Sequence, residues 1–376
     1  MDNVTHSVVG LLVAEAALVL RARRERAEPA SDGLRAHALL VSVLANNAPD
    51  IDSAYASALT TPLGSLLHHR GHTHTFVLVP LLAALAVGVA LGVARVRGTR
   101  IAPRDRVWLG LLALAGVAIH IGLDATNNYG VHPFWPFFDG WLYGDSVFII
   151  EPLLWAALVP PLVFASRARW LAILLAALVV LGVGLCWLRD FVPRSMAVVA
   201  TLLAVATALS TRRATPVRRV LVSAVATVLV LATFALSGSL ARDTALRASA
   251  VSFPGAVTHD VVSTPMPADP LCWQVILVQT EAARYVVRST MVATVPSFLS
   301  SSDCPFDVWA KPTAPSAAIA VASTRSLRWI REFSAPVAEL RSLARENCVF
   351  AALLQFARVP FWTKDPVLGR VAGDVR

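Results

Sequence analysis

Four histidines crowd into the segment His68-His69-Arg70-Gly71-His72-Thr73-His74-Thr75. Imidazoles at that density serve as metal ligands or proton carriers more readily than as packing groups. The competing reading is a polar cap whose rings sit among lipid headgroups. One ion cannot take all four rings, so some must face a neighbouring group or a substrate, and Gly71 permits a sharp turn between them. His120 and Asp124 are four residues apart, so on a helix both project from one face with Cβ atoms about 5–6 Å apart. One ion could bridge them; the alternative is a His–Asp hydrogen bond within helix packing. Asp50 and Asp52, in Pro49-Asp50-Ile51-Asp52, would point the same way in an extended segment, although an acidic loop by itself is usually only solvated. Imidazole nitrogen and carboxylate oxygen together suit a divalent metal, zinc first and manganese second.

The elements that must carry these groups are unusually apolar. Of 376 residues 56% are hydrophobic and 15% charged, with a mean hydropathy of +0.63, which excludes an ordinary soluble domain. Apolar runs at 76–94, 107–123, 147–164, 170–188, 195–209 and 217–236 approach the roughly 20 residues that cross a bilayer core. Two shorter runs, 7–20 and 34–45, are interrupted by Glu15 and His37 and span, tilt or only partly enter. The net charge of +9 comes almost wholly from arginine, the only lysines being Lys311 and Lys364. The arginines cluster at 21–26, 95–106, 167–169 and 212–219, between apolar runs on alternate loops. That is the positive-inside pattern of cytoplasmic loops, not a nucleic-acid surface, and no nucleic-acid partner is expected. It predicts eight crossings with both termini outside. His6, His68, His69, His72, His74, His120 and His132 then fall at the outer face, with Asp50, Asp52, Asp124, Asp139, Asp145 and Glu151. His37 and His259 stand apart. The start of the chain has no basic region ahead of its apolar stretch and does not read as a cleaved signal.

The predicted architecture is an all-α polytopic membrane domain of about eight helical segments (1–236), followed by a smaller α+β extracytoplasmic domain (237–376). In the latter, 273–279 and 285–295 are rich in Val, Ile and Thr around a short polar link and predict a β-hairpin, whereas 337–356 has a helical apolar period. Cys272, Cys304 and Cys348 lie there and Cys186 near the outer end of a span. An oxidising compartment permits a disulfide, but spacing does not choose the pairing, and buried unpaired cysteines are the alternative.

Taken in order, Thr5-His6, Pro49-Asp50-Ile51-Asp52, His69-Arg70-Gly71-His72-Thr73-His74, His120-Ile121-Gly122-Leu123-Asp124 and Asn128-Tyr129-Gly130-Val131 through Pro136-Phe137 resemble the YdjM-type membrane-bound, predicted metal-dependent hydrolases over roughly the first 155 residues. The resemblance implies a metal site made of His6, Asp50, Asp52, His69, His74, His120 and Asp124. Ile149-Ile150-Glu151-Pro152 resembles a family segment that more often has Asp where this chain has Glu151. More distantly, the set is similar to the zinc phospholipase C and single-strand nuclease group, which cleaves phosphoesters on a metal cluster. Its later His/His/Glu ligands have no clear counterpart here, which implies fewer ions than a trinuclear site. Pro360-Phe361-Trp362 and Gly373-Asp374-Val375-Arg376 look like the tail of longer family members.

The expected function is that of a membrane-bound hydrolase in a bacterial inner membrane, cleaving a phosphoester such as a phospholipid or lipid-linked substrate with a metal-activated water. Asp50 or Asp52 is the candidate general base if it is not a ligand, and Arg70 is placed to contact an anionic substrate through its planar fork. The bilayer is the one expected partner, and oligomeric state is not legible. A metal-ion or proton-coupled transporter is the rival reading; a non-catalytic scaffold presenting the outer domain ranks last, because it leaves the histidine cluster unexplained.

Overall fold

The computed structural model describes residues 1–25, 31–59, 63–305, 316–365 and 369–375. Arg26 of the first arginine cluster, Lys311 and Arg376 lie outside these residues. The chain forms two compact units: 1–55, 69–144 and 149–232 make the first, and 56–68, 145–148 and 233–376 the second.

In the first unit, α1 (Asn3–Glu25) and α2 (Asp32–Ala45) are followed by a 3-10 turn at Pro49–Ala54; the short α3 (Gly64–His68) belongs to the second unit. A 3-10 turn at His72–His74 then leads into α4 (Val79–Val96), α5 (Pro103–Asp124), α6 (Pro152–Ala165), α7 (Arg169–Leu188), α8 (Arg194–Thr211) and α9 (Pro216–Ser252). Each of the eight predicted apolar runs therefore contains a helix, although the run at 147–164 is helical only from Pro152 and that at 76–94 only from Val79. Among the described residues six helices, α1, α4, α5, α7, α8 and α9, are long and apolar enough to cross a membrane. The run at 7–20 proves part of a 23-residue helix, because Glu15 is neutralised by an ion pair with Arg35 of α2. By contrast α2 has 14 residues, about 21 Å of helix, less than a bilayer core. The 14 residues of α6 are buried from Pro152 to Leu162, as expected of a helix apolar on every side and enclosed by others.

Close approach of small residues holds this bundle together, the usual means where lipid is as apolar as the side chains. Ala14, Ala38, Ala45, Ala83, Ala86, Ala90 and Ala113 are buried in one cluster with Leu109 and Val117. A Cβ on Gly10 would come 2.9 Å from the Ser42 carbonyl oxygen of α2, and one on Gly116 would come 2.9 Å from both the Ala45 Cβ and the Asn46 side-chain Nδ2. These two glycines set the spacing of α1 and α5 against α2.

The second unit contains the sheet β1 (Val257–Met266), β2 (Asp269–Glu281), β3 (Arg284–Ala293), β4 (Ala317–Ala318) and β5 (Leu327–Pro336), antiparallel in the order β1-β2-β3-β5-β4. Helices α10 (Val337–Glu346) and α11 (Cys348–Phe356) and the hairpin β6 (Pro360–Asp365) and β7 (Gly369–Asp374) complete it. The predicted hairpin is β2–β3. Its link is Ala282-Ala283 with both residues at positive φ, 46° and 63°, the backbone of a type I′ turn without the Asn or Gly that usually announces it. The single helical period read across 337–356 is two helices: Asn347 leaves the helical region, and its side chain accepts from the Phe350 amide to start α11. A core of Val262, Ile276, Val287, Phe333, Phe350 and Trp362 joins sheet and helices. Cys272 and Cys304 form a disulfide, while Cys186 is buried and free and Cys348 exposed and free.

Unreduced protein treated with a maleimide is predicted to label quickly at Cys348 and slowly at Cys186, and at Cys272 and Cys304 only after reduction; rapid labelling of either of the last two without reductant would contradict the pairing. Gly116→Leu should lower the melting temperature by several degrees, an overpacking cost of about 1–3 kcal/mol, whereas Gly122→Leu on the same helix, where a Cβ meets nothing within 4 Å, should not.

Candidate metal centre

Two stretches of non-helical chain and the ends of two helices converge at the histidines. The end of α5 supplies His120 and Asp124, both fully buried. The 3-10 turn after α2 supplies Asp50 and Asp52, and the segment that ends in the turn His72–His74 supplies His69, Arg70 and His74. The first turns of α1 add Asn3 and His6.

The orientation of each ring follows from what its far nitrogen touches. His120 Nδ1 lies 2.7 Å from the Asn46 carbonyl oxygen. A carbonyl only accepts, so Nδ1 carries the proton and, in the neutral ring, Nε2 carries the lone pair. Thr73 donates its hydroxyl proton to Asp52 Oδ2 at 2.7 Å, so His74 Nδ1, 3.1 Å from that hydroxyl oxygen and 3.3 Å from Asp52 Oδ2, is the donor to both. Its Nε2 is then also a lone-pair atom. The two Nε2 atoms face each other at 3.1 Å. Two lone pairs at that distance repel unless a cation or a proton lies between them.

Two carboxylates close on the same point. Asp124 Oδ2 is 3.2 Å from His74 Nε2 and 3.5 Å from His120 Nε2, and Asp50 Oδ1 is 3.5 and 3.6 Å from the same atoms. Asp124 Oδ2 is buried and has no hydrogen-bond partner of good geometry. Asp50, His74, His120 and Asp124 each offer one ligand atom within 4.8 Å of all the others, as do Asp50, Asp52 and His69 in an adjoining group. These residues fit a divalent ion, which would satisfy the opposed lone pairs and the Asp124 oxygen, whose ion pair with Arg70 lacks hydrogen-bond geometry.

The remaining groups orient these four. His6 Nε2 meets Asp124 Oδ1 at 3.1 Å, and its ring stacks on His120 with centroids 3.8 Å apart; Asp124 Oδ1 also meets the α-amine of Met1. His6 therefore lies in the cluster but in neither group of converging ligand atoms. Asp52 is occupied on both oxygens by His69 Nδ1 (2.9 Å), the Arg70 amide (2.9 Å) and Thr73. Asn3 donates to Asp50 Oδ2 at 2.8 Å.

Several sequence expectations change here. Asp50 and Asp52 do not share a side of an extended strand; they lie on a 3-10 turn, so Asp50 faces the two Nε2 atoms while Asp52 holds the backs of His69 and His74. The left-handed residue of the histidine segment is Arg70 (φ 60°), not Gly71 (φ −77°). A non-glycine residue there costs about 1–2 kcal/mol, offset by the bond of its amide to Asp52. Arg70 is 4% exposed. Its fork meets Asp124 Oδ2 (3.0 Å) and Asn127 Oδ1 (3.0 Å), and its guanidinium lies over the Tyr129 ring, so it is directed at the cluster's own carboxylate. His72 packs edge-on against Trp135, His132 stacks on Trp141, and Glu151 caps α6 through the Leu153 amide. None of these, nor His68, belongs to either group of ligand atoms. Asp145 belongs to the second unit, where it pairs with Arg358. Sequence reasoning passed over Asn46, Asn3, Thr73 and Asn127. Their only signal was a polar side chain beside a motif residue.

The electrostatics follow the geometry. Burial disfavours the charge on His74, but its contacts with Asp124, Asp50 and Asp52 outweigh that and push its pKa up to about 10. A proton on His74 Nε2 would screen the opposed lone pairs as a cation would. Burial likewise opposes the charge on Asp52, yet His69, His74 and Thr73 hold its carboxyl well below the usual range.

A family model described as YdjM inner membrane protein matches residues 1–191, which includes every residue of the cluster. No curated protein and no solved structure matches the chain. With the match covering half the chain, and with six helices able to cross a membrane, the chain belongs to the YdjM inner membrane protein family and is a multi-pass membrane protein.

Proposed function

We propose that this protein is a metal-dependent hydrolase whose centre is held by Asp50, His74, His120 and Asp124, with zinc as the first candidate ion and manganese the second. The observation that carries this reading is the pair of Nε2 atoms 3.1 Å apart with their outer nitrogens tied to Asn46 and to Asp52 with Thr73, flanked by the buried Asp124 Oδ2 at 3.2 and 3.5 Å. A bound divalent ion supplies Lewis acidity and lowers the pKa of a water towards neutrality. The chain's own residues have distinct tasks. Asn46 and Asp52 fix the tautomers of His120 and His74, which determines the atom each ring presents. His6 and Arg70 hold the two oxygens of Asp124. Asp50, the most exposed of the four, would be a ligand through Oδ1 while its other oxygen accepts from Asn3. Asp52, with both oxygens committed, is a positioning residue and not a base.

A phosphoester is the substrate class that fits, because the family-like motifs resemble the zinc phospholipase C and nuclease group. A membrane-embedded centre favours a phospholipid or a lipid-linked phosphoester. Transport is less well supported. A pathway needs ionisable groups at several depths, whereas α1 has none between His6 and Glu15, and α5 none between Arg106 and His120. The arginine clusters at the α1–α2, α4–α5, α6–α7 and α8–α9 connections support a cytoplasmic location for that end of the bundle. The opposite end, with the metal centre, and the second unit with its disulfide are then extracytoplasmic.

Detergent-purified protein should carry stoichiometric metal and cleave mono- or diester phosphates in a chelator-sensitive way. His120→Ala and Asp124→Ala should each abolish turnover and lose the metal while remaining folded, and Asp52→Asn should weaken metal binding roughly 10–100-fold. His37→Ala, which removes a ring bonded within its own helix to Gly33 O, should do neither. Normal metal and activity in both of the first two variants would refute the site. Metal without turnover on any ester would refute the hydrolase. Reporters fused within 99–105 and 211–215 should register cytoplasm, and fusions after Gly238 the outer compartment; an inside location for 239–376 would overturn the outer placement.

A further inference from the structure

Far along α1 from His6, the first unit has a second polar locality that the metal centre does not use. Two cavities of about 210 and 290 Å³ share Glu15, Arg35, Leu162, Ser166 and Arg167 in their walls. Arg219 lines one and Asp32 the other, so among the described residues three guanidiniums face two carboxylates and one positive charge is left over. Arg35 is tied to Glu15 and to the Ala165 carbonyl, and Arg167 reaches Asp32 from an exposed position. Arg219 bonds the Thr211 carbonyl at 3.2 Å, a contact that brings no counter-charge.

Backbone dipoles add to this excess. Helices α2, α7 and α9 all begin at this locality. Ser31 caps α2 by accepting from Leu34, and Thr215 caps α9 by accepting from Arg218. No side chain caps α7, whose N-cap position is Ala168, and Ala168 and Leu171 line the larger cavity. An uncapped helix start presents free N–H groups and partial positive charge, which favour an anion. Apolar side chains, Leu11, Leu39 and Leu171 in one cavity and Phe164 and Val220 in the other, continue from this polar end.

We propose that the paired cavities seat the phosphodiester headgroup of an anionic membrane phospholipid, with Arg167, Arg219 and the start of α7 as its counter-charges and the flanking leucines against the first part of its acyl chains. The single excess positive charge matches the single negative charge of a phosphodiester, and basic pockets between membrane helices are suited to such headgroups. The apolar walls select a lipid over a free anion. This site is independent of the metal centre.

The test uses the full-length, delipidated protein in detergent, with binding of phosphatidylglycerol, phosphatidylcholine and inorganic phosphate measured by native mass spectrometry and thermal shift. Phosphatidylglycerol should bind roughly tenfold more tightly than phosphatidylcholine, and inorganic phosphate should neither bind comparably nor compete. The preference should disappear in the Arg167→Gln/Arg219→Gln double variant. Ala168→Asp supplies α7 with a capping carboxylate, so it should fold at least as stably as the parent while losing the preference; a site with no lipid role would gain stability and leave lipid binding unchanged. Equal binding of the two lipids by the parent protein, a preference that survives Ala168→Asp, or phosphate binding that matches phosphatidylglycerol would each overturn the proposal.

Discussion

The arrangement at the centre depends on one unfavourable contact: the Nε2 atoms of His74 and His120 point at each other across 3.1 Å. Neither ring can turn away without breaking the bond on its other nitrogen, to the Asn46 carbonyl in one case and to Asp52 and Thr73 in the other. The contact is tolerable only with positive charge between the rings. Without an ion a proton supplies it, and the carboxylates of Asp50 and Asp124 stabilise that state. A divalent ion bound there would be held by the same four groups and would displace the proton. The polar residues around the cluster preserve this opposition of rings.

The membrane bundle maintains the opposition at a distance. Asn46 ends the short helix α2, and its carbonyl reaches His120 because Gly116, one turn earlier on α5, lets that helix approach Ala45 and Asn46 closely. Gly10 does the same for α1, which carries His6 and Asn3. Small residues therefore fix both the helix spacing and the placement of ligands, since a displacement of about 1 Å is enough to spoil such a centre. At the other end of α2 the ion pair between Arg35 and Glu15 ties α2 to α1. It also explains how an acidic residue is accommodated within a membrane helix.

Much of this was legible in the chain. The apolar runs became helices, and the order of motifs identified the family, because hydropathy and an i, i+4 pair are local properties. The pairing of His120 with Asp124 needed only helix geometry. The histidine segment alone could not rank its four rings; His69 and His74 were distinguished through the family-like pattern, and the orientation of His74 depends on Asp52, more than 20 positions earlier. Asn46 was illegible as an orienting group because it acts through its backbone carbonyl, which every residue has. A guanidinium beside histidines suggests a substrate contact for Arg70, and its burial next to Asp124 was not legible because that pairing joins residues 54 positions apart. In the second unit, Val, Ile and Thr marked β2 and β3, but the Ala282-Ala283 turn carries no turn residue, and the break at Asn347 rests on one side chain acting as a cap. The Cys272–Cys304 pairing required β2 and the segment after β3 to be placed in three dimensions.

The central claim is that the chain presents two imidazole nitrogens and two carboxylates to one ion. X-ray absorption spectroscopy of the zinc-loaded protein tests it most directly, because imidazole gives a distinctive outer-shell scattering pattern and sulfur a long first shell near 2.3 Å. Two imidazoles with oxygen ligands and no sulfur are expected, with no stoichiometric zinc retained by His120→Ala. A sulfur shell, or a zinc environment without imidazole scattering, would contradict it.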